Sequence, residues 1–148
     1  MRTATLIARI LLGLIFVVFG LNGFLQFLAQ PPTPQVALAF FGALAATGYM
    51  VPLLFASQIV GGGLLLLGMV PLGLLIVAPV IVNIVGFHVF LAPDGLALAV
   101  VVVALELFLA WTHRDAYRPL FAWHGRERGG PLHATSPRRA TASEPGVA

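Results

Sequence analysis

The amino-acid sequence predicts an all-α integral membrane protein: an antiparallel four-transmembrane-helix bundle with a short interfacial or re-entrant helix between spans one and two. Three observations carry the prediction. Residues 10 to 93 contain no Asp, Glu, Lys or Arg. Charged residues make up 9% of the 148-residue chain, against about 25% in an average soluble protein. All 8 basic residues are Arg and lie outside that run, at the two ends. A soluble domain wets its surface with charge, whereas a charged side chain at mid-bilayer costs about 3 kcal/mol. The solvent of most of this chain is therefore hydrocarbon. Each span needs roughly 20 residues, so the length allows four spans and a tail.

The first span is expected at about 5–30. Arg2 and Arg9 precede an apolar run over 10–28, longer than the roughly 7–15 residues of a signal-peptide core, so it reads as a retained span. Pro31-Pro32 cannot continue a helix and should end it. Thr33 then offers an N-cap with Pro34 at the first helical position. The short helix that follows, about 34–47, is closed by Gly48 and Pro52 and is too brief to cross a bilayer. The second span is expected at about 51–68 and the third at about 72–91, joined by a tight turn at residues 69–71. Ala92-Pro93-Asp94-Gly95 is a turn in which Pro presets φ and Gly accepts positive φ. The fourth span is expected at about 96–112. These elements make residues 1–113 a four-span membrane domain.

Tyr117, Leu120, Phe121 and Trp123 alternate with Arg114, Arg118 and Arg126, which predicts an interfacial amphipathic segment over 114–124. From 125 to 148 the chain is mostly Gly, Pro, Ser, Thr, Ala and Arg with little to bury, as in a disordered cytoplasmic tail. The spans are flanked by Arg2 and Arg9 before and by Arg114, Arg118, Arg126 and Arg128 after, and the loops between them hold no Lys or Arg. The positive-inside rule puts both termini in the cytoplasm, in agreement with an even number of spans. The high positive balance belongs to this membrane pattern and not to nucleic-acid binding.

There is no cysteine, which excludes disulfides, thiol chemistry and Cys-bound metal. No phosphate loop, catalytic triad or zinc motif occurs, so metal ligands and an intrinsic cofactor are not expected. The glycines at 13, 20, 23 and 61–63 read as helix-packing positions. The polar residues inside the spans are the remaining candidates for chemistry. Glu106 stands among 10 Leu, Val and Phe residues over 96–109, worth about −3 to −6 kcal/mol of insertion against roughly +3 for the carboxylate. Such a residue should face the interior with a partner. Counted from the turn at Pro93-Asp94, Glu106 and Asn83 lie about 19 Å and about 16 Å deep. Counted from the turn near Val70, Asn83 and Gln58 lie at one depth. Gln58, Asn83 and Glu106 are thus expected at one polar level, with His88 and Asn22 at a second level and Gln26 above them. One reading makes these residues interhelical hydrogen-bonding groups that fix packing. The other makes Glu106, Asn83, Gln58, His88 and Asn22 an intramembrane binding pocket, in which Glu106 and the neutral-range His88 can carry protons. Arg9 reads as an interface anchor that could reach toward Glu106.

The ordered set of these residues resembles the DoxX family of small four-helix bacterial inner-membrane proteins. Arg9, Gly13 and Phe16 with Gly20-Leu21-Asn22-Gly23 resemble the first helix, and Ile59-Val60-Gly61-Gly62 the second. Pro79, Asn83 and Phe87-His88 resemble the third, and Ala110-Trp111 with Arg114 and Tyr117 the exit from the fourth. The resemblance covers about residues 5–120. It implies association with redox systems, members including the membrane subunit of a thiosulfate:quinone oxidoreductase and part of an oxidative-stress complex. A non-catalytic membrane subunit or scaffold is therefore expected, an oxidoreductase subunit if part of an enzyme. Its partners would be the lipid bilayer, a redox protein, a quinone and further copies of itself. Family members often carry Glu before the Gly-Gly of the second helix, where this chain has Gln58, so Glu106 would have to stand in for it. Two other functions fit the residues: a small proton-coupled transporter using Glu106 and His88, and a structural assembly factor.

Overall fold

The computed structural model describes residues 2–29 and 32–121. Six helices follow in order: α1 (Arg2–Leu25), α2 (Gln35–Ala46), α3 (Met50–Leu67), α4 (Val70–Phe90), α5 (Leu96–Thr112) and α6 (Arg114–Phe121), with a 3₁₀ turn at Pro93–Gly95 before α5. Four of them, α1, α3, α4 and the run Pro93–Thr112, are long and apolar enough to cross a membrane. The four expected spans thus fall on these four long apolar helices. Residue 30 and Pro31 lie outside the described residues, as do Trp123 of the predicted interfacial segment and the whole predicted tail.

Helix α3 lies against α1 and α4, and α5 lies against α4 and α1. The core enclosed by these contacts holds Leu12, Phe16, Leu65, Val77 and Leu109. The outside is apolar as well: Phe90 is 81% exposed, Leu67 77% and Val82 72%. In water that surface would aggregate; in hydrocarbon it costs nothing.

The helix ends explain where the structure departs from the sequence reading. Helix α1 stops at Leu25, short of the expected 30, because Gln26 takes a left-handed φ of 50°. That turn is held by two bonds at Asn22, whose carbonyl accepts Gln26 N–H at 2.8 Å and whose Oδ1 accepts Leu28 N–H at 2.7 Å. The N-cap position of α2 falls on Pro34, and α2 begins at Gln35. Thr47 ends α2 and opens α3: its hydroxyl donates to the Leu44 carbonyl and accepts from Met50 N–H. Gly68 ends α3 at φ 92°, with Met69 N–H bonded back to the Leu64 carbonyl, a glycine-type C-terminal cap. Gly95 does not use the positive φ that the turn sequence predicts; it sits at φ −88°. Glycine is needed there because the His88 ring packs against it, and a Cβ would fall 2.0 Å from Cε1 of that ring.

Helix packing follows the small residues. A Cβ on Gly62 would lie 2.8 Å from the Gly13 carbonyl oxygen, and one on Gly13 would lie 3.0 Å from the Gly62 oxygen. Gly61 and Gly73 make the same reciprocal approach between α3 and α4. Backbones this close exchange dispersion and Cα–H···O contacts, the usual cohesion between membrane helices. Gly63, by contrast, faces open space.

Candidate functional site

Helices α4 and α5 part along one flank. Val102 and Leu109 of α5 are buried in the core, and at 100° per residue Glu106 lies only about 40° round from Val102. Val103 and Leu107 lie further out on the same side. Facing them, α4 contributes Ala78, Ile81, Val82 and Val85. Together these residues line a cleft of about 300 Å³. The small Ala78 and the short valines leave this space unfilled, where leucines would have closed it. Glu106 is the single polar residue of the lining, and its buried Oε2 has no hydrogen-bond partner among the described residues. An unanswered carboxyl oxygen among aliphatic walls is costly to the protein on its own and becomes useful when a ligand supplies the missing partner.

The structure does not gather the five predicted site residues around this cleft. Gln58 is buried, with its Cβ 3.0 Å from where a Cβ on Gly20 would stand, so it belongs to the α1–α3 seam. Asn22 is buried too, and its side-chain oxygen is spent on Leu28 N–H. His88 Nδ1 lies 2.9 Å from the Ala92 carbonyl, which closes the α4–α5 turn when that nitrogen carries the proton. Asn83 is exposed on α4, and Gln26 is exposed beyond α1. Gln58, Asn83 and Glu106, expected at one polar level, do not face one another. On α4 the residues facing Glu106 run from Ala78 to Val85, a stretch that includes the depth of Asn83. Depth says nothing about direction: Asn83 lies about 120° round α4 from the buried Val77, on the flank away from the cleft.

At the other end of the helices, Arg9 does not pair with Glu106. Its Nη1 lies 2.8 Å from where a Cβ on Gly68 would stand, at the C-terminus of α3, and its buried Nε has no hydrogen-bond partner among the described residues. The negative end of the α3 dipole favours a cation there. In α6 the Tyr117 hydroxyl donates to the Pro71 carbonyl at 3.2 Å, and Arg118 bridges Asp115 at 3.1 Å on the surface. Burial, and then negative charge at Glu106, push the Tyr117 phenol above its ordinary pKa. Among the described residues no three His, Cys, Asp or Glu side chains come together as a metal site.

The sequence pointed to Glu106 because it is the only charged residue between Leu96 and Thr112. It did not point to the cleft wall. The available signal was Ala78, a small residue one helix away at the same depth, and only the structure pairs it with Glu106. Set against models of known families, curated proteins and solved structures, the chain matches none.

Proposed function

We propose that this chain is a multi-pass protein of the bacterial inner membrane, a non-catalytic subunit that holds a quinone-type ligand in the α4–α5 cleft for a redox partner. The observation that carries the reading is the buried, unpartnered Oε2 of Glu106 in an otherwise aliphatic cleft. A volume of about 300 Å³ is at the lower end of small-molecule sites and suits a single substituted ring, with its apolar tail leaving along the valines. A carboxyl group donates to a quinone carbonyl when protonated and accepts from a quinol hydroxyl when ionised, so it serves both redox forms. The DoxX resemblance points to the same ligand class. Both termini are cytoplasmic in this reading: the Arg residues cluster at the two ends of the helical region, and four crossings return the chain to its starting side. An antiparallel bundle with α2 in the interface completes the proposed arrangement. The transport alternative needs His88 beside Glu106, and His88 lies against Ala92 and Gly95 at the turn, which favours ligand holding.

Purification in mild detergent, followed by mass spectrometry of co-purifying quinones, lipids and proteins, tests the reading. Wild-type protein should carry quinone, and Glu106→Leu should carry about tenfold less, the worth of one hydrogen bond. Folded yield of the variant should hold or rise, since removing the carboxyl favours insertion by about 3 kcal/mol. Equal quinone in both proteins, or only phospholipid in the wild type, ends it.

A further inference from the structure

Asn83 is exposed on α4 in the middle of an apolar surface, and its amide meets no partner among the described residues. It stands about 20 Å from the start of α4 and about 10 Å from its end, inside the hydrocarbon thickness of a bilayer. A bare amide in that medium must find a hydrogen-bonding partner. Two neighbours make the same flank receptive. A Cβ on Gly86 would meet nothing within 4 Å, so a second backbone can approach closely there. Pro79, about 40° round α4 from Asn83, has no N–H, so the Leu75 carbonyl loses its helical donor. Leu72 and Phe90 extend the strip at helical spacing, 50% and 81% exposed.

We propose that this strip is a two-fold homodimer seam in which Asn83 pairs with Asn83 of a second copy. A carboxamide carries both donor and acceptor, so two copies related by an axis along the membrane normal each give and take a hydrogen bond. A second copy also presents its amide at the same depth by construction. A lipid chain offers neither donor nor acceptor. The residues of α4 that line the α4–α5 cleft lie about 100° or more round the helix from Asn83. The inference rests on the reading that α4 crosses a bilayer, which alkaline extraction of membranes tests separately.

Because the chain has no cysteine, single-cysteine cross-linking reads the seam directly. Phe90→Cys, oxidised in liposomes at low protein density, should form a disulfide-linked homodimer, and Val60→Cys on α3 should not. Adding Asn83→Leu to Phe90→Cys should weaken dimerisation about tenfold, the worth of two interhelical amide bonds. Asn83→Gln, which keeps the amide, should restore it. Asn83→Leu places an apolar side chain on an exposed surface, and its melting temperature in detergent verifies that it folds. The proposal is overturned if Phe90→Cys cross-links no better than Val60→Cys. It is equally overturned if Asn83→Leu leaves the linked fraction unchanged, or if the linked product contains a different protein.

Discussion

The seam between α1 and α3 and the seam between α4 and α5 are built on opposite principles. In the first, Gly13 and Gly62 bring the backbones together, and Gly20 faces the Phe55 carbonyl and the Gln58 stem. In the second, the side chains of Ala78, Ile81, Val82 and Val85 face Val103, Glu106 and Leu107 across an unfilled cleft. Between membrane helices there is little hydrophobic drive, because lipid tails are as apolar as leucine; cohesion comes from close packing and hydrogen bonds. The glycine seam therefore supplies rigidity. The aliphatic seam keeps space for something else, and it is also where the Glu106 carboxyl group sits.

Gly62→Val attacks the rigid seam and should have the largest effect. Two of the three nearest atoms to a Cβ there, the Gly13 oxygen at 2.8 Å and Val17 nitrogen at 2.9 Å, are backbone and cannot step aside. A loss of about 3 kcal/mol is expected, the upper end of overpacking costs, read as a fall in melting temperature in detergent. Gly63→Val provides the control, since a Cβ there meets nothing within 4 Å. If both variants melt with the wild type, the α1–α3 seam is not the rigid one.

Ala78→Leu makes a comparable addition of bulk at the other seam and should behave differently. The added methyl groups enter the cleft that Ala78 lines, so stability should change by less than about 1 kcal/mol in either direction. Co-purifying quinone should disappear, because its space is taken. Destabilisation as large as that of Gly62→Val would erase the contrast between the seams.

The two seams were unequally legible in the sequence. Glycines at 13, 20 and 62 fall on α1 and α3 at helical spacing, and small residues in apolar helices have few other uses, so the packed seam could be read from composition. Helix α5 was equally plain, with Gly95 before it and the Thr112-His113-Arg114 boundary after it. The end of α1 was not, because it depends on a side-chain bond from Asn22 to Leu28, residues that carry no breaker signal of their own. The polar levels failed for a related reason. Counting residues from a turn gives height along a helix, but whether Asn83 faces Glu106 or the lipid depends on rotation about the axis, which packing of Val77 and Ile81 into the core decides.

The smallest expected effect lies where α6 returns to the helical body, beside the start of α4. Tyr117→Phe removes the hydroxyl that donates to the Pro71 carbonyl, a partly exposed bond worth about 0.5–1 kcal/mol. The phenol has a second signature. Burial first, and negative charge at Glu106 second, raise its pKa above the ordinary 10.0. The folded protein thus favours the protonated phenol more than the unfolded chain does. That contribution is complete below pH 10.0 and is lost as the pH rises through the folded value. Melting temperatures measured from neutral to strongly alkaline pH should fall more steeply for the wild type than for Tyr117→Phe above that point. The difference should shrink again in Glu106→Leu, which removes the second cause and leaves burial alone. Parallel curves for wild type and Tyr117→Phe would mean that Tyr117 does not tie α6 to Pro71, and that the carboxylate in the aliphatic seam does not reach this end of the molecule.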